Sequence, residues 1–159
     1  MTYRELDHTA DVLLEITGAS IHELFCEAAR SLMEILYPPR KPLTSSSPHD
    51  SPDIVSIPIT VNINNDEEKN GNGDESFESY ELLVQAFLSE LLFLTETEYI
   101  VFLEWDITIE AEKIYGFVRG VPFDPTFHSG GIGVKGISHS GLTIQKRENR
   151  YILTIIYDI

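Results

Sequence analysis

Trp105-Asp106-Ile107-Thr108-Ile109-Glu110-Ala111 alternates strictly, with Trp105, Ile107, Ile109 and Ala111 on one side and Asp106, Thr108 and Glu110 on the other. Such alternation marks a strand with one buried face. The pattern then repeats without a helix intervening. Residues 115–121 read as a strand, 122–133 as a turn-rich loop, and 134–138 and 142–146 as strands flanking a turn at Gly141. Residues 151–157 form the last strand. Strands in unbroken succession with few helices predict an α+β protein: a mixed, mostly antiparallel sheet with two main helices on one face.

Working back from that run, residues 79–95 carry Leu82, Leu83, Ala86, Phe87, Glu90, Leu91 and Leu94 at helical spacing. This helix is apolar nearly all round and is expected to be the more deeply buried of the two. Before it, Val55, Ile57, Ile59, Val61 and Ile63 alternate with Ser56, Pro58, Thr60 and Asn62. Pro58 cannot donate to a ladder, so this strand belongs at a sheet edge or carries a bulge. Ser20-Ile21-His22-Glu23 is a capping box that opens the other helix. Its apolar face is Ile21, Leu24, Phe25, Ala28, Ala29, Leu32, Met33 and Leu36, and Pro38-Pro39 stops it. Residues 12–16 form a strand ended by Gly18. The chain reads as a single domain, 1–159, with a Pro/Ser-rich loop at 40–53 and an acidic flexible insertion at 65–78.

Composition narrows the function. The 159 residues are 42% hydrophobic and 23% charged, as in an ordinary globular protein. The lone Cys26 forms no internal disulfide and no cysteine-rich zinc site. With 11 basic against 26 acidic residues, the formal charge is −15. Nucleic-acid affinity rests on Lys and Arg neutralising phosphates, so direct RNA or DNA binding is not expected; a basic protein or a cation suits this charge better. Residues 1–8 lack the apolar core of a signal peptide, and no run reaches membrane-span length. A cytoplasmic protein, or a nuclear one in a eukaryote, is expected, with no membrane partner.

Several motifs are weak. Asp66 to Phe77 starts like a calcium loop, but its twelfth position is Phe77, not glutamate. Gly130-Gly131-Ile132-Gly133-Val134-Lys135 lacks the spacing and following helix of a phosphate loop and reads as a glycine turn. His22 and Cys26 share a helix side without further soft ligands. Cys26 sits beside Glu23 and Glu27, which raise a thiol pKa rather than activating it. More informative is Asp7-His8-Thr9-Ala10-Asp11, just before an apolar strand, with Asp158-Ile159 ending another strand. If those strands are neighbours, Asp11, Asp158 and the Ile159 carboxylate converge. Three such groups repel and must bind protons or a hard cation, and oxygen-only ligands favour calcium or magnesium. An ordinary set of surface acids is the alternative.

Leu6-Asp7-His8-Thr9-Ala10-Asp11-Val12 resembles the opening signature of the archease family, and the likeness continues through 21–29. Glu90 to Leu94 with Glu96-Thr97-Glu98, Gly120-Val121-Pro122-Phe123-Asp124 with His128, Val134-Lys135, Gly141-Leu142 and Tyr157-Asp158-Ile159 extend it. The resemblance covers most of the chain outside about 40–78.

It implies a small α+β protein that activates an RtcB-type RNA ligase in tRNA splicing or RNA repair, without being the ligase. The ligase joins a 2′,3′-cyclic phosphate or 3′-phosphate end to a 5′-hydroxyl with GTP and manganese. The activator speeds its guanylylation and sustains multiple turnover. The family's metal site carries over to Asp11, Asp158 and Ile159. The implied cofactor is a divalent cation, calcium first, with magnesium or manganese as alternatives. His8, Asp124, His128 and Lys135 carry over as candidates for contact with the partner or for activation. Two positions depart: Val121 stands where a glutamate is usual, and Ser140 where a histidine is usual. His139 precedes it by one, and on a strand that faces the opposite side. An autonomous metal-dependent hydrolase and a calcium-stabilised protein-binding module remain the alternatives.

Overall fold

Among the described residues, eight strands and two helices run in the order β1 (Tyr3–Leu6), β2 (Val12–Gly18), α1 (Ile21–Leu36), β3 (Val55–Asn62), α2 (Glu78–Glu98), β4 (Ile100–Glu110), β5 (Lys113–Pro122), β6 (Gly136–Ile137), β7 (Thr143–Arg147) and β8 (Arg150–Asp158). They are seen in a computed structural model, which describes residues 3–6, 11–38, 53–63 and 77–159. The α+β class holds, but the strands divide into two sheets rather than one. The order β1-β2-β8-β6, with β7 also on β8, makes the larger; β3-β5-β4 makes the smaller. All these pairings are antiparallel. Each helix contacts strands of both sheets.

Alternation sets which face is buried. Across β2 and β8, Val12 pairs with Tyr157, Leu14 with Ile155 and Ile16 with Leu153. All six are core residues, at most 4% exposed. Ile144 of β7 and Ile137 of β6 join the same face, opposite Leu153 and Tyr157. Burying one such side chain contributes roughly 1.5–3 kcal/mol. In the smaller sheet Ile59 and Ile107 both face Gly116, whose φ is 146°. A Cβ there would stand 2.1 Å from the Asp106 carbonyl oxygen, so only glycine fits. As Pro58 requires, β3 is an edge strand.

The α1 cap follows the box pattern with a shift. Ser20 Oγ accepts the Glu23 N–H at 3.1 Å, while the Glu23 carboxylate accepts the Ala19 N–H at 2.5 Å. Expected burial of the helices is reversed: nine of the 16 residues of α1 are buried, against seven of the 21 of α2. The longer helix outruns what it packs against, leaving Phe93 and the Glu96–Glu98 turn exposed. It ends at Tyr99 in the left-handed region, φ 56°. β1 escapes the sequence pattern because it has four residues, two of them charged. The strand expected at 134–138 shrinks to Gly136–Ile137. The predicted insertion at 65–78 overlaps α2, which starts at Glu78; residues 64–76, with the calcium-loop motif, and residues 39–52 of the Pro/Ser-rich loop lie outside the described residues. Among the described residues no helix is long and apolar enough to cross a membrane.

Candidate functional site

The β2–β8 ladder begins at Val12↔Tyr157. One residue beyond that pair in the chain come Asp11, in the bend before β2, and Asp158, the last residue of β8. On the other side of β8, Gly136 pairs with Asp158. Strand alternation puts Asp158 and Gly136 on the face opposite the buried Tyr157 and Ile137. Asp11 is half-buried; Asp158 and Ile159 are exposed. A Cβ at Gly136 would meet Asp158 Oδ2 at 3.8 Å, an ordinary van der Waals contact. Its neighbour Lys135 donates its backbone N–H to the Asp158 carbonyl at 2.7 Å, while its side chain is exposed. Among the described residues no three His, Cys, Asp or Glu side chains are grouped as for a metal ion. The third oxygen of the expected set is the Ile159 carboxylate. Asp7 and His8 lie outside the described residues.

β8 is held by its own core residue. The Tyr157 hydroxyl lies 3.0 Å from Ser31 Oγ and 3.3 Å from the Ala28 carbonyl oxygen of α1. Complete burial raises its pKa well above the ordinary tyrosine value. Gln85 of α2 donates to the Ile137 carbonyl at 3.3 Å, which ties β6 to the second helix.

Asp124 and His128 form a second group, on the loop between β5 and β6. Asp124 Oδ1 accepts the Thr126 N–H at 2.8 Å, and its carbonyl accepts the N–H groups of Phe127 and His128. The Asp124 N–H donates to His128 Nδ1 at 3.0 Å, so the ring proton belongs on Nε2. The imidazole stacks on Phe123, which packs against Tyr37. The glycine run beyond docks on the end of α1. Gly131 N–H donates to the Leu36 carbonyl at 2.9 Å, Ile132 N–H to Ile35 at 3.1 Å, and Ser129 Oγ to Pro38 at 2.7 Å. These bonds satisfy carbonyls that a helix end leaves open. They also explain Gly131: a Cβ there would meet the Ile35 oxygen at 2.1 Å.

The two departures resolve differently. Val121 is buried opposite Val101, outside the main core cluster. His139 and Ser140 are exposed in the turn between β6 and β7, so strand alternation does not apply to them. His22 and Cys26 act within the fold. Cys26 Sγ is 3.8 Å from His22 Nδ1, and His22 Nε2 is 3.1 Å from the Ile107 carbonyl, linking α1 to β4. Burial first, then Glu27 and Glu23, push the thiol up to about 11.

The sequence reading missed a group along the outer stripe of α1. Glu27 is 3% exposed and accepts from Arg30 at 2.6 Å. Glu34 accepts from the Tyr3 hydroxyl of β1. Burial and then that bond raise Tyr3 to about 12. A bulge missed in β4 had a signal: the buried phase switches from Phe102 to Trp105 and Ile107. The register shifts between Phe102 and Glu104, leaving Leu103 57% exposed.

Comparison with known proteins completes the picture. The model of the Archease protein family matches residues 3–50 and 57–159. Protein archease of Archaeoglobus fulgidus is 26% identical over 164 residues, covering 100% of both chains. An archease-like protein of Drosophila melanogaster is 30% identical over 165 residues, covering 100% of this chain and 91% of its own. The solution structure of Methanobacterium thermoautotrophicum protein 1598 matches with a TM-score of 0.63 at 19% identity, over 99% of this chain and 98% of that one. The crystal structure of an archease from Thermotoga maritima matches with a TM-score of 0.60 at 17% identity, over 98% and 96%. Both structures share the fold described above.

Proposed function

The chain belongs to the archease family, and on that premise we propose that it activates an RtcB-type RNA ligase, promoting its guanylylation and multiple turnover in tRNA splicing or RNA repair. It is a protein cofactor of the ligase, not a ligase itself, and works in the cytoplasm, or in the nucleus of a eukaryote. The partner it meets is protein rather than RNA, since a formal charge of −15 repels phosphates.

The observation that supports the reading is that β2 and β8 are antiparallel neighbours whose ladder ends at Val12↔Tyr157, with Asp11 and Asp158 each next in the chain beyond that pair. Carboxylates gathered at this end of the ladder would favour a proton or a cation among them. The donor set is oxygen only, which fits a hard divalent cation: calcium first, magnesium or manganese next. Asp11, Asp158 and the Ile159 carboxylate would hold it. Such an ion supplies positive charge that suits nucleotide phosphates during guanylyl transfer. His8, Asp124, His128 and Lys135 are the residues to test for partner contact.

Multiple-turnover RNA ligation with limiting cognate ligase tests the reading. Wild type is expected to stimulate turnover, and Asp11→Ala and Asp158→Ala to lose the stimulation while folding normally. No stimulation by wild type overturns the activator function. Stimulation that survives both substitutions keeps the activator and removes the cation from its mechanism.

A further inference from the structure

An open groove of about 340 Å³ separates the outer stripe of α1 from the start of β4. Arg30, Met33, Glu34 and Tyr37 are spaced by three and four residues, so they form one wall. Leu103, Trp105 and Phe127 belong to the other. Leu103 and Phe127 are 57% and 58% exposed. Neither exposure comes from loose chain. The β4 bulge turns Leu103 outward. Phe127 is carried by the turn whose N–H groups bond to Asp124, and that loop is bonded to the end of α1. Two large apolar side chains held rigidly in solvent beside a concave surface are the usual makings of a binding site.

The charge around them selects the occupant. Arg30 is paired with Glu27 and Glu34 accepts from the neutral Tyr3 hydroxyl, so these three charged side chains leave one net negative charge on the α1 wall. A second copy of this chain would bring another −15 to the same place. RNA is repelled for the same reason. The geometry points to this groove as the docking site for a large apolar anchor carried on a basic segment of the partner protein. The inference rests on the activator reading, under which that partner is the ligase.

The test is equilibrium binding of the cognate ligase to four forms of the full chain at low and high salt. These are wild type, the double variant Leu103→Ser/Phe127→Ser, the control Phe93→Ser and Asp158→Ala. Phe93 is 59% exposed on α2 and does not line the groove. The double variant is expected to bind roughly thirtyfold more weakly, with the control within about twofold of wild type. Wild-type affinity is expected to fall as salt rises. Asp158→Ala is expected to bind normally while failing to stimulate, which separates docking from chemistry. All three serine positions are more than half exposed, so the fold does not depend on them; circular dichroism checks this. A double variant that binds as tightly as wild type overturns the proposal. So does a salt-independent affinity, or a wild-type dimer that the double variant dissociates. A wild type that neither binds nor stimulates the ligase overturns the activator reading, and the groove assignment with it.

Discussion

Replacing Gly131 by alanine tests whether the loop between β5 and β6 is built onto the end of α1. The added Cβ would stand 2.1 Å from the Ile35 oxygen and 2.6 Å from Pro38 Cδ. No real contact is that short, so the loop must lift. Lifting breaks the bonds on either side of the clash, Gly131 N–H to Leu36 and Ile132 N–H to Ile35. Each is worth about 0.5–1.5 kcal/mol net, so the pair sums to about 1–3 kcal/mol. Gly130 and Gly133 provide the control, because a Cβ at either meets nothing within 4 Å. None of the three glycines has positive φ. Alanine at the control positions should therefore be neutral, or stabilising by about 0.4–1 kcal/mol through the unfolded chain. Urea unfolding should place Gly131→Ala about 2 kcal/mol below Gly133→Ala. Hydrogen exchange of the Ile132 amide should accelerate in the first variant alone. Equal stability of the two, with unchanged Ile132 protection, would refute the docking argument.

Tyr157→Phe removes the hydroxyl beside Ser31 and Ala28 and should cost about 1 kcal/mol in urea unfolding. Gly116→Ala combines a φ of 146° with a 2.1 Å contact and should cost more than about 3 kcal/mol, whereas Gly136→Ala, with 3.8 Å of clearance, should stay within about 1 kcal/mol of wild type. The Cys26 thiol should react slowly with a disulfide reagent near neutrality and accelerate until about pH 11. Because the fold favours the neutral thiol, its stabilisation is complete below 9.0, the ordinary value, and is lost as pH rises to about 11. Cys26→Ala should show a shallower loss of stability across that window.

Local chemistry in the sequence reached as far as single elements. The capping box at Ser20, the alternation from Trp105 and the proline in β3 each carry their own geometry. Pairing between distant strands has no local signature, and this is why two sheets read as one. The bulge at Leu103 changes the buried phase of β4 between Phe102 and Trp105, visible once sought but easily taken for an apolar run. Gly131 looked like a turn residue because the helix end that forbids its Cβ lies about 95 residues away in the chain. The relative depth of the helices was misjudged for a related reason. Apolar content says what α2 can bury, while the strands it meets decide what it does bury. Asp11 and Asp158 were legible as chemistry, and only the register of β2 against β8 showed that the strands beside them are neighbours.

That register has a consequence for everything around it. β2 has seven residues and spans about 23 Å; α1 has 16 and spans about 24 Å. The helix therefore returns the chain to the end of the sheet where β2 began. There the last turn of α1 meets the loop carrying Asp124 and His128, and that loop runs on to Lys135, bonded to Asp158. The groove starts at the same place, since Tyr37 and His128 both line it. Positions as distant in sequence as Asp11, Tyr37, His128 and Asp158 thus share one end of the fold, with the apolar rows of β2 and β8 behind them. A displacement of the loop should be felt both at Asp158, through Lys135, and at the groove, through Phe127. Under the proposed activator function, Gly131→Ala is then expected to weaken ligase binding and stimulation together, and Asp158→Ala to weaken stimulation alone.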